Sequence, residues 1–301
     1  GVGDFIESCD AAFRLYGEGA MINLPRQESL TRLGDSDVFR LELTGKWPGV
    51  LKGCKVIVER SDVATGRLGD RTATIKLKLV DADLITLDAE HITNMRTGAA
   101  AALGARYLAV ASAQKVGVVG TGRIAESAVL AIDETMGPDL MRVTSRSPEK
   151  RTDFVSRLQP LISARLEAVS SVEEAVGDAD VVVTAVPTPE PILSNGMLKE
   201  SAHLSVVAGD PRTVQLAEDV LTSRPVIVDH VDQAEKSGDF LLYPDRHQLE
   251  YEGRPATIGD AALGKLEDYR GLGSVAYFTG MAIQDLHAAY TCIIRNRELG
   301  T

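Results

Sequence analysis

Residues 38–43, 55–59 and 72–80 alternate or cluster β-favouring side chains, and Gly45, Pro48, Gly49, Gly53, Gly66 and Gly69 stand between them. Such runs, broken by turn formers, predict strands of an antiparallel sheet. Ahead of them, residues 4–16 carry the spacing of a leading amphipathic helix. At Thr93 the texture changes: TNMRTGAAAALGARYLAVAS is rich in Ala and Leu, and Thr93 is read as the N-cap of a long connecting helix. Its small residues let a second backbone pack closely.

Beyond Lys115 the pattern becomes strand, helix, strand, helix. Apolar runs at 116–119, 141–144, 165–169, 181–186, 203–207 and 226–228 are short and continuous. Strands that do not alternate are covered on both faces, which implies a parallel sheet. Gly137 closes a helix over 123–136, and Pro148 opens SPEKRTDFVSRL at a first helical position. Ser171 with Glu174 reads as a capping box. The expected fold is therefore α/β. Residues 111–275 form a Rossmann-type doubly wound parallel sheet, and 1–110 with 276–301 form a smaller α+β domain built from both chain ends. The closing stretch AYFTGMAIQDLHAAYTCIIRNRE is read as helical and packed back on the first domain.

Charge narrows the classes of partner. Asp and Glu number 43 against 32 Lys and Arg, a net charge of -11. An acidic surface repels phosphate backbones and anionic lipid, so neither nucleic acid nor membrane is expected as a partner. The opening residues lack a secretion signal and no run approaches the ~18 apolar residues of a membrane span, so a cytoplasmic location is expected. Cys9, Cys54 and Cys292 form no CxxC and read as reduced thiols. His91, His230, His247 and His287 lack ligand spacing, so no metal is expected. His203, at the start of an apolar strand, reads as structural, Trp47 and Tyr243 as core or interface, and the acidic stretch 229–239 as a solvated face.

One turn carries chemistry. Gly120, Gly122, Arg123, Ile124 and Ala125 follow the strand VGVV directly and open a helix. The first glycine permits the tight turn, and the second lets a backbone approach a pyrophosphate. The alanine allows close helix–strand packing, while the helix N-terminus offers N–H groups to the anion. Strand–helix units on both sides supply the context that GxGxxA needs. The next strand ends on Thr144, Ser145, Arg146 and Ser147, with no acid until Glu149. An acid there would accept a ribose 2′-OH. Ser145 and Arg146 suit a 2′-phosphate, so NADP(H) is favoured over NAD(H).

Three further residues are out of place for bland roles. Lys55 puts a charge inside the half-buried run GCKVIVE; Arg96 falls in the first turn of the Ala-rich helix, where the dipole disfavours a cation; Asp210 follows an apolar strand at the edge where α/β sheets bind ligands. The segments RTGAAAALGARYLA, VGVVGTGRIAESAVLAI, SVEEAVGDADVVVTAVP and HLSVVAGDP, in this order, resemble the ornithine cyclodeaminase/μ-crystallin family over about residues 24–285. The resemblance implies a homodimer that transfers hydride at the α-carbon of a small amino or imino acid. It makes Arg26 and Arg96 the clamp on the substrate carboxylate and Lys55 the lysine beside the reacting carbon. It makes Glu42 and Asp210 catalytic acids. It sets Thr72, Arg96, Val186, Leu204, Ser205, Val206, Val207 and Thr279 along the cofactor.

The chain also departs from the family pattern. GxDxPGKxE is shortened to GDPRTVQL, Phe278-Thr279-Gly280 replaces SxG, Asp62 stands where Asn is usual, and the turn at 81–84 is short. The expected activity is an NAD(P)-dependent imino-acid reductase or amino-acid dehydrogenase. Ornithine cyclodeaminase, which forms proline and ammonia with no net redox change, is the alternative that Glu42 and Asp210 support. A third reading, a cofactor-binding protein without turnover, is weakened by the joint retention of Lys55, Arg96 and Asp210.

Overall fold

The computed structural model describes residues 1–63, 68–80 and 82–298. Gly66 and Asp81, both assigned above to turns, lie outside them. The chain opens with α1 (Val2–Gly17), followed by β1 (Ile22–Asn23), β2 (Gln27–Leu33), β3 (Ser36–Trp47), β4 (Leu51–Asp62), β5 (Leu68–Leu79) and β6 (Leu84–Asp88). These strands form an antiparallel sheet in the order β1-β3-β4-β5-β6, with β2 also pairing β3. Lys55 pairs with Leu43 on one side and Ile75 on the other, so all three share the covered face.

The Ala-rich helix α2 (Glu90–Leu108) leads to β7 (Lys115–Val119), α3 (Arg123–Met136), β8 (Leu140–Thr144), α4 (Pro148–Leu158), β9 (Arg165–Ala168) and α5 (Val172–Val176). Next come β10 (Val181–Thr184), β11 (His203–Val207), α6 (Glu218–Ser223), β12 (Val226–Val228), α7 (Val231–Ala234) and α8 (Gly238–Leu242). A small hairpin, β13 (Glu250–Tyr251) with β14 (Arg254–Pro255), then precedes α9 (Ile258–Ala262), β15 (Val275–Phe278) and α10 (Ala282–Glu298). Seven strands pair in parallel in the order β12-β15-β11-β10-β7-β8-β9. The order reverses between β7 and β10, which is where such sheets open a crevice for ligands.

Several local readings need correction. Helix α2 starts at Glu90 with Ala89 as its N-cap, so Thr93 lies inside it and Arg96 in its second turn. Residues 276–278 are not helical: they belong to β15 within the parallel sheet, and the expected division after 275 cuts that strand. Ser171 does cap α5 by accepting from Glu174 N at 3.1 Å, but the Glu174 carboxylate takes the Ser170 N–H rather than completing the box. Gly45 and Gly53 are not separators. They lie within β3 and β4, where a Cβ would meet Ile283 or Leu286 of α10 at 3.1 and 2.9 Å.

The acidic stretch 229–239 is no solvated face, because Asp229 and Asp239 are both fully buried. Asp239 accepts from the Gln215 and Leu216 N–H groups and from the Tyr277 hydroxyl. His203 is enclosed between the Ser274 and Ser205 hydroxyls, and burial holds its imidazole neutral, down to a pKa of about 3. Among the described residues, no helix is long and apolar enough to cross a membrane. No group of three or more His, Cys, Asp and Glu among them could hold a metal ion.

Candidate functional site

A cavity of about 730 Å³ opens at the C-terminal edge of β7, β8 and β10. The glycine turn forms its floor. Gly120 adopts φ +124°, which L side chains avoid, and a Cβ there would also press on Val186 at 3.0 Å. At Gly122 a Cβ would meet no protein atom within 4 Å, so the missing side chain leaves open space beside the helix start. No side chain caps the N-terminus of α3. Uncapped N–H groups, positive dipole and free space above the turn fit a dinucleotide pyrophosphate. Thr144, Ser145, Arg146 and Ser147 line the far wall, with Lys150 beside them. Glu149, the first acid along the chain after β8, is exposed and accepts from the Ser147 hydroxyl at 2.8 Å.

A second cavity of about 300 Å³ shares Ala185, Val186 and Pro187 with the first. Arg96, Gly209, Asp210 and Thr279 line it as well. Behind it lies a closed charge cluster. Lys55 is 1% exposed, Arg96 5% and Asp285 0%. Asp285 lies 2.7 Å from Lys55 Nζ through one oxygen and accepts from Arg96 Nε at 3.0 Å through the other. Burial and the Arg96 charge push the Lys55 amine down to about 8, while Asp285 opposes them. Arg96 also donates from an Nη to Gln284 Oε1 at 3.3 Å. Next to the cluster, burial raises the Cys9 thiol to about 12, so it stays protonated.

The loops around the second cavity are held by buried polar side chains. Asp229 accepts from the Thr279 and Gly280 N–H groups and from the Thr279 hydroxyl, fixing the loop whose Gly280 would carry a Cβ 3.1 Å from Arg96. Gln215 bridges the ends of β10 and β11 by accepting from the Thr184 hydroxyl and donating to the Val207 carbonyl. Asp210 stands on the rim, where the Arg212 guanidinium donates to both carboxylate oxygens and holds the acid below its usual range. Arg26 reaches the same rim, donating to the Gly209 carbonyl at 2.9 Å and pairing with Glu28.

The structure thus brings Arg96, Asp210, Ile124, Val186, Val207 and Thr279 to one cavity, with Arg26 bonded to its Gly209 carbonyl and Lys55 buried behind it, joined to Arg96 through Asp285. Other expected residues fall elsewhere. Glu42 pairs with Val56 and Thr72 with Val58, so both face away from Lys55, across the sheet. The Glu42 carboxylate takes Arg40 at 2.7 Å, and Thr72 is exposed. Leu204, Ser205 and Val206 are buried inside β11, and only Val207 reaches the cavity. Arg123 is exposed and pairs with Glu90, while Ala125 is enclosed in helix packing. Sequence reading missed Asp285, Asp229 and Gln215. The one signal for Asp285 was a charge in the apolar helical run AIQDLHAAY.

Residues 2–300 match the profile of the ornithine cyclodeaminase/mu-crystallin family. Alanine dehydrogenase of Archaeoglobus fulgidus is 28% identical over 210 residues, 68% of this chain and 64% of its own length. Ketimine reductase mu-crystallin of Rattus norvegicus is 30% identical over 210 residues, 68% of this chain and 63% of its own. The matched region therefore spans just under two thirds of each of these relatives. A solved archaeal alanine dehydrogenase dimer with bound NAD superposes with a TM-score of 0.83 at 23% identity, covering 100% of this chain and 93% of that one.

Proposed function

The chain belongs to the ornithine cyclodeaminase/mu-crystallin family, and we propose that it is an NAD(P)-dependent oxidoreductase that moves hydride to or from the α-carbon of a small imino or amino acid. The observation that carries this reading is Lys55. It is an amine shut off from water, lowered to about 8, and one carboxylate away from a guanidinium on the wall of a cavity that shares Ala185, Val186 and Pro187 with the one over the glycine turn.

A nicotinamide dinucleotide, when bound, supplies or takes the hydride. Gly120, Gly122 and the first turn of α3 would hold its pyrophosphate, and Val186, Gly209 and Thr279 border the space beyond. Arg96, with Nε committed to Asp285, keeps Nη donors for a substrate carboxylate, and Arg26 offers a second guanidinium at the rim. Lys55 Nζ exchanges a proton with the substrate nitrogen, giving it in reduction and accepting it in oxidation. An amine near neutrality suits both. Asp210, kept ionised by Arg212, steadies positive charge on that nitrogen.

Within the dinucleotide class we assign NADP(H) over NAD(H), because Ser145, Arg146 and Lys150 line the far wall and Glu149 is engaged by Ser147. The reading extends to a homodimer, as in the archaeal alanine dehydrogenase. Its substrate and dimerisation part comprises 1–110 and the C-terminal end, and its dinucleotide part begins at 111 and is extended to Phe278 so that β15 stays whole. Asp210 on the cavity wall is what favours cyclodeamination as the second reading; Glu42, the other acid it needs, faces away.

The test follows the absorbance of the reduced nicotinamide, with a cyclic α-imino acid and with pyruvate plus ammonium, in wild type and Lys55→Ala. One reduced cofactor is expected to be consumed per amine formed. Lys55→Ala is expected to lower kcat about 10²–10⁴-fold with cofactor fluorescence titrations unchanged. Ammonia released from ornithine without lasting absorbance change moves the assignment to cyclodeamination. Undiminished turnover in Lys55→Ala removes the lysine from the chemistry.

A further inference from the structure

Lys55 and Arg96 come from different layers of the molecule. The lysine stands on β4 of the antiparallel sheet; the arginine stands on α2, which packs against the parallel one. Neither element fixes where the other's long side chain ends. Asp285, in the first turn of α10, meets both. We propose that Asp285 is a positioning residue for the reaction assigned above: a single enclosed carboxylate sets the separation between the amine that moves the proton and the guanidinium that takes the substrate carboxylate.

Four observations support this. Asp285 splits its oxygens, one to Lys55 Nζ at 2.7 Å and the other to Arg96 Nε at 3.0 Å, so shifting the carboxylate moves both partners. The start of α10 is itself pinned, since Asn23 Oδ1 accepts from the Ala282 N–H and Gln284 Oε1 from the Met281 N–H. The same Gln284 Oε1 also accepts from Arg96, so the turn that carries Asp285 grips the guanidinium twice. An anion in the first turn of a helix is favoured by the dipole, and Asp285 occupies that place in α10. Two cations facing one anion leave the cluster one positive charge in excess, and a substrate carboxylate would balance it.

The groups facing Lys55 are Arg96 from α2, Asp285 from α10 and Arg71 from β5, with the protonated Cys9 of α1 beside Arg96. Asp285 alone among the charged ones raises the lysine's affinity for a proton. Burial, Arg96 and Arg71 all lower it. Removing the charge at 285 therefore carries the Lys55 titration to lower pH. The reductive limb, which needs the protonated amine, falls with it.

The experiment compares wild type, Asp285→Asn and Asp285→Glu, each with protein labelled at lysine Cε with ¹³C and the Lys55 signal assigned by its loss in Lys55→Met. Lys55 is expected to titrate near 8 in wild type and at least one pH unit lower in Asp285→Asn. The alkaline fall of reductive kcat/KM is expected to shift by the same amount. Asp285→Glu keeps the charge but displaces it, so the titration is expected to stay while KM for the imino acid rises about tenfold, roughly the loss of one hydrogen bond to a charged group. If Lys55 titrates at the same pH in Asp285→Asn and kcat/KM is unchanged, the proposal is overturned. If Asp285→Asn does not fold, wild-type kinetics in Asp285→Glu overturn it instead. This proposal rests on the reaction assigned above, but a wild type that reduces no imino acid would sink that reaction alone. The lysine titration still decides on Asp285.

Discussion

A lysine ammonium taken out of water loses several kcal/mol of hydration, so it stays buried only beside a fixed counter-charge. That rule made Lys55 legible as an oddity in GCKVIVE, while Arg96 stood out as a cation near a helix start, where the dipole disfavours it. It could not supply their partner, which stands near the other end of the chain. Glu42 and Thr72 lie on the face opposite Lys55 for a different reason. Side chains alternate across a strand, so a single step of register sends a residue to the opposite face. Spacing along the chain could not tell that Glu42 pairs with Val56 rather than with Lys55. The wall of the larger cavity is local, because Ser145 and Arg146 follow β8 without a break. Replacing Arg146 by Ala is expected to weaken NADPH binding about 10- to 100-fold, as for a lost hydrogen bond to a charged phosphate, and to leave NADH binding unchanged. Fluorescence titration with both cofactors measures this, and equal losses for the two would point to NAD(H).

At the scale of elements, α2 is where small residues matter most. It lies against β11 and β15 of the parallel sheet and against α3, and a Cβ at Gly98 would sit 2.3 Å from the Ser127 backbone carbonyl carbon and 2.5 Å from the Ala128 nitrogen. Backbone cannot swing aside as a flexible side chain can. Gly98→Ala is therefore expected to cost about 3 kcal/mol, at the upper end for overpacking, and to show as a lower Tm. A variant as stable as wild type would mean that α2 and α3 can separate freely. The Ala and Gly pattern announced such a contact but not its partner. In the same way, an apolar run of four residues reads equally as strand or helix, which is why β15 was taken for the start of the closing helix. Pairing with β11 and β12 settled it.

At the scale of the molecule, one face of the antiparallel sheet is covered by α10, while β2 is exposed along its whole length and shows Leu30 and Leu33 to solvent. A long uncovered edge strand with apolar side chains is a pairing surface. The homodimer of the proposed function is expected to use it. Sedimentation at micromolar concentration should give twice the chain mass, and a monomer there removes the dimer from the proposal.

The alternation of strands and helices beyond Lys115, the parallel sheet with its glycine turn, and the absence of an acid directly after β8 were written in the sequence. Each depends on residues a few positions apart, through periodicity, capping and turn geometry. Long-range pairing decided the rest. Strand register chose which of Lys55 and Glu42 faces inward. The return of the chain end put α10 over β4 and α2, so that Asp285 stands between two cations. Burial, which no single segment possesses, turned Asp229 and Asp239 from a solvated acidic face into anchors of the loops around the site.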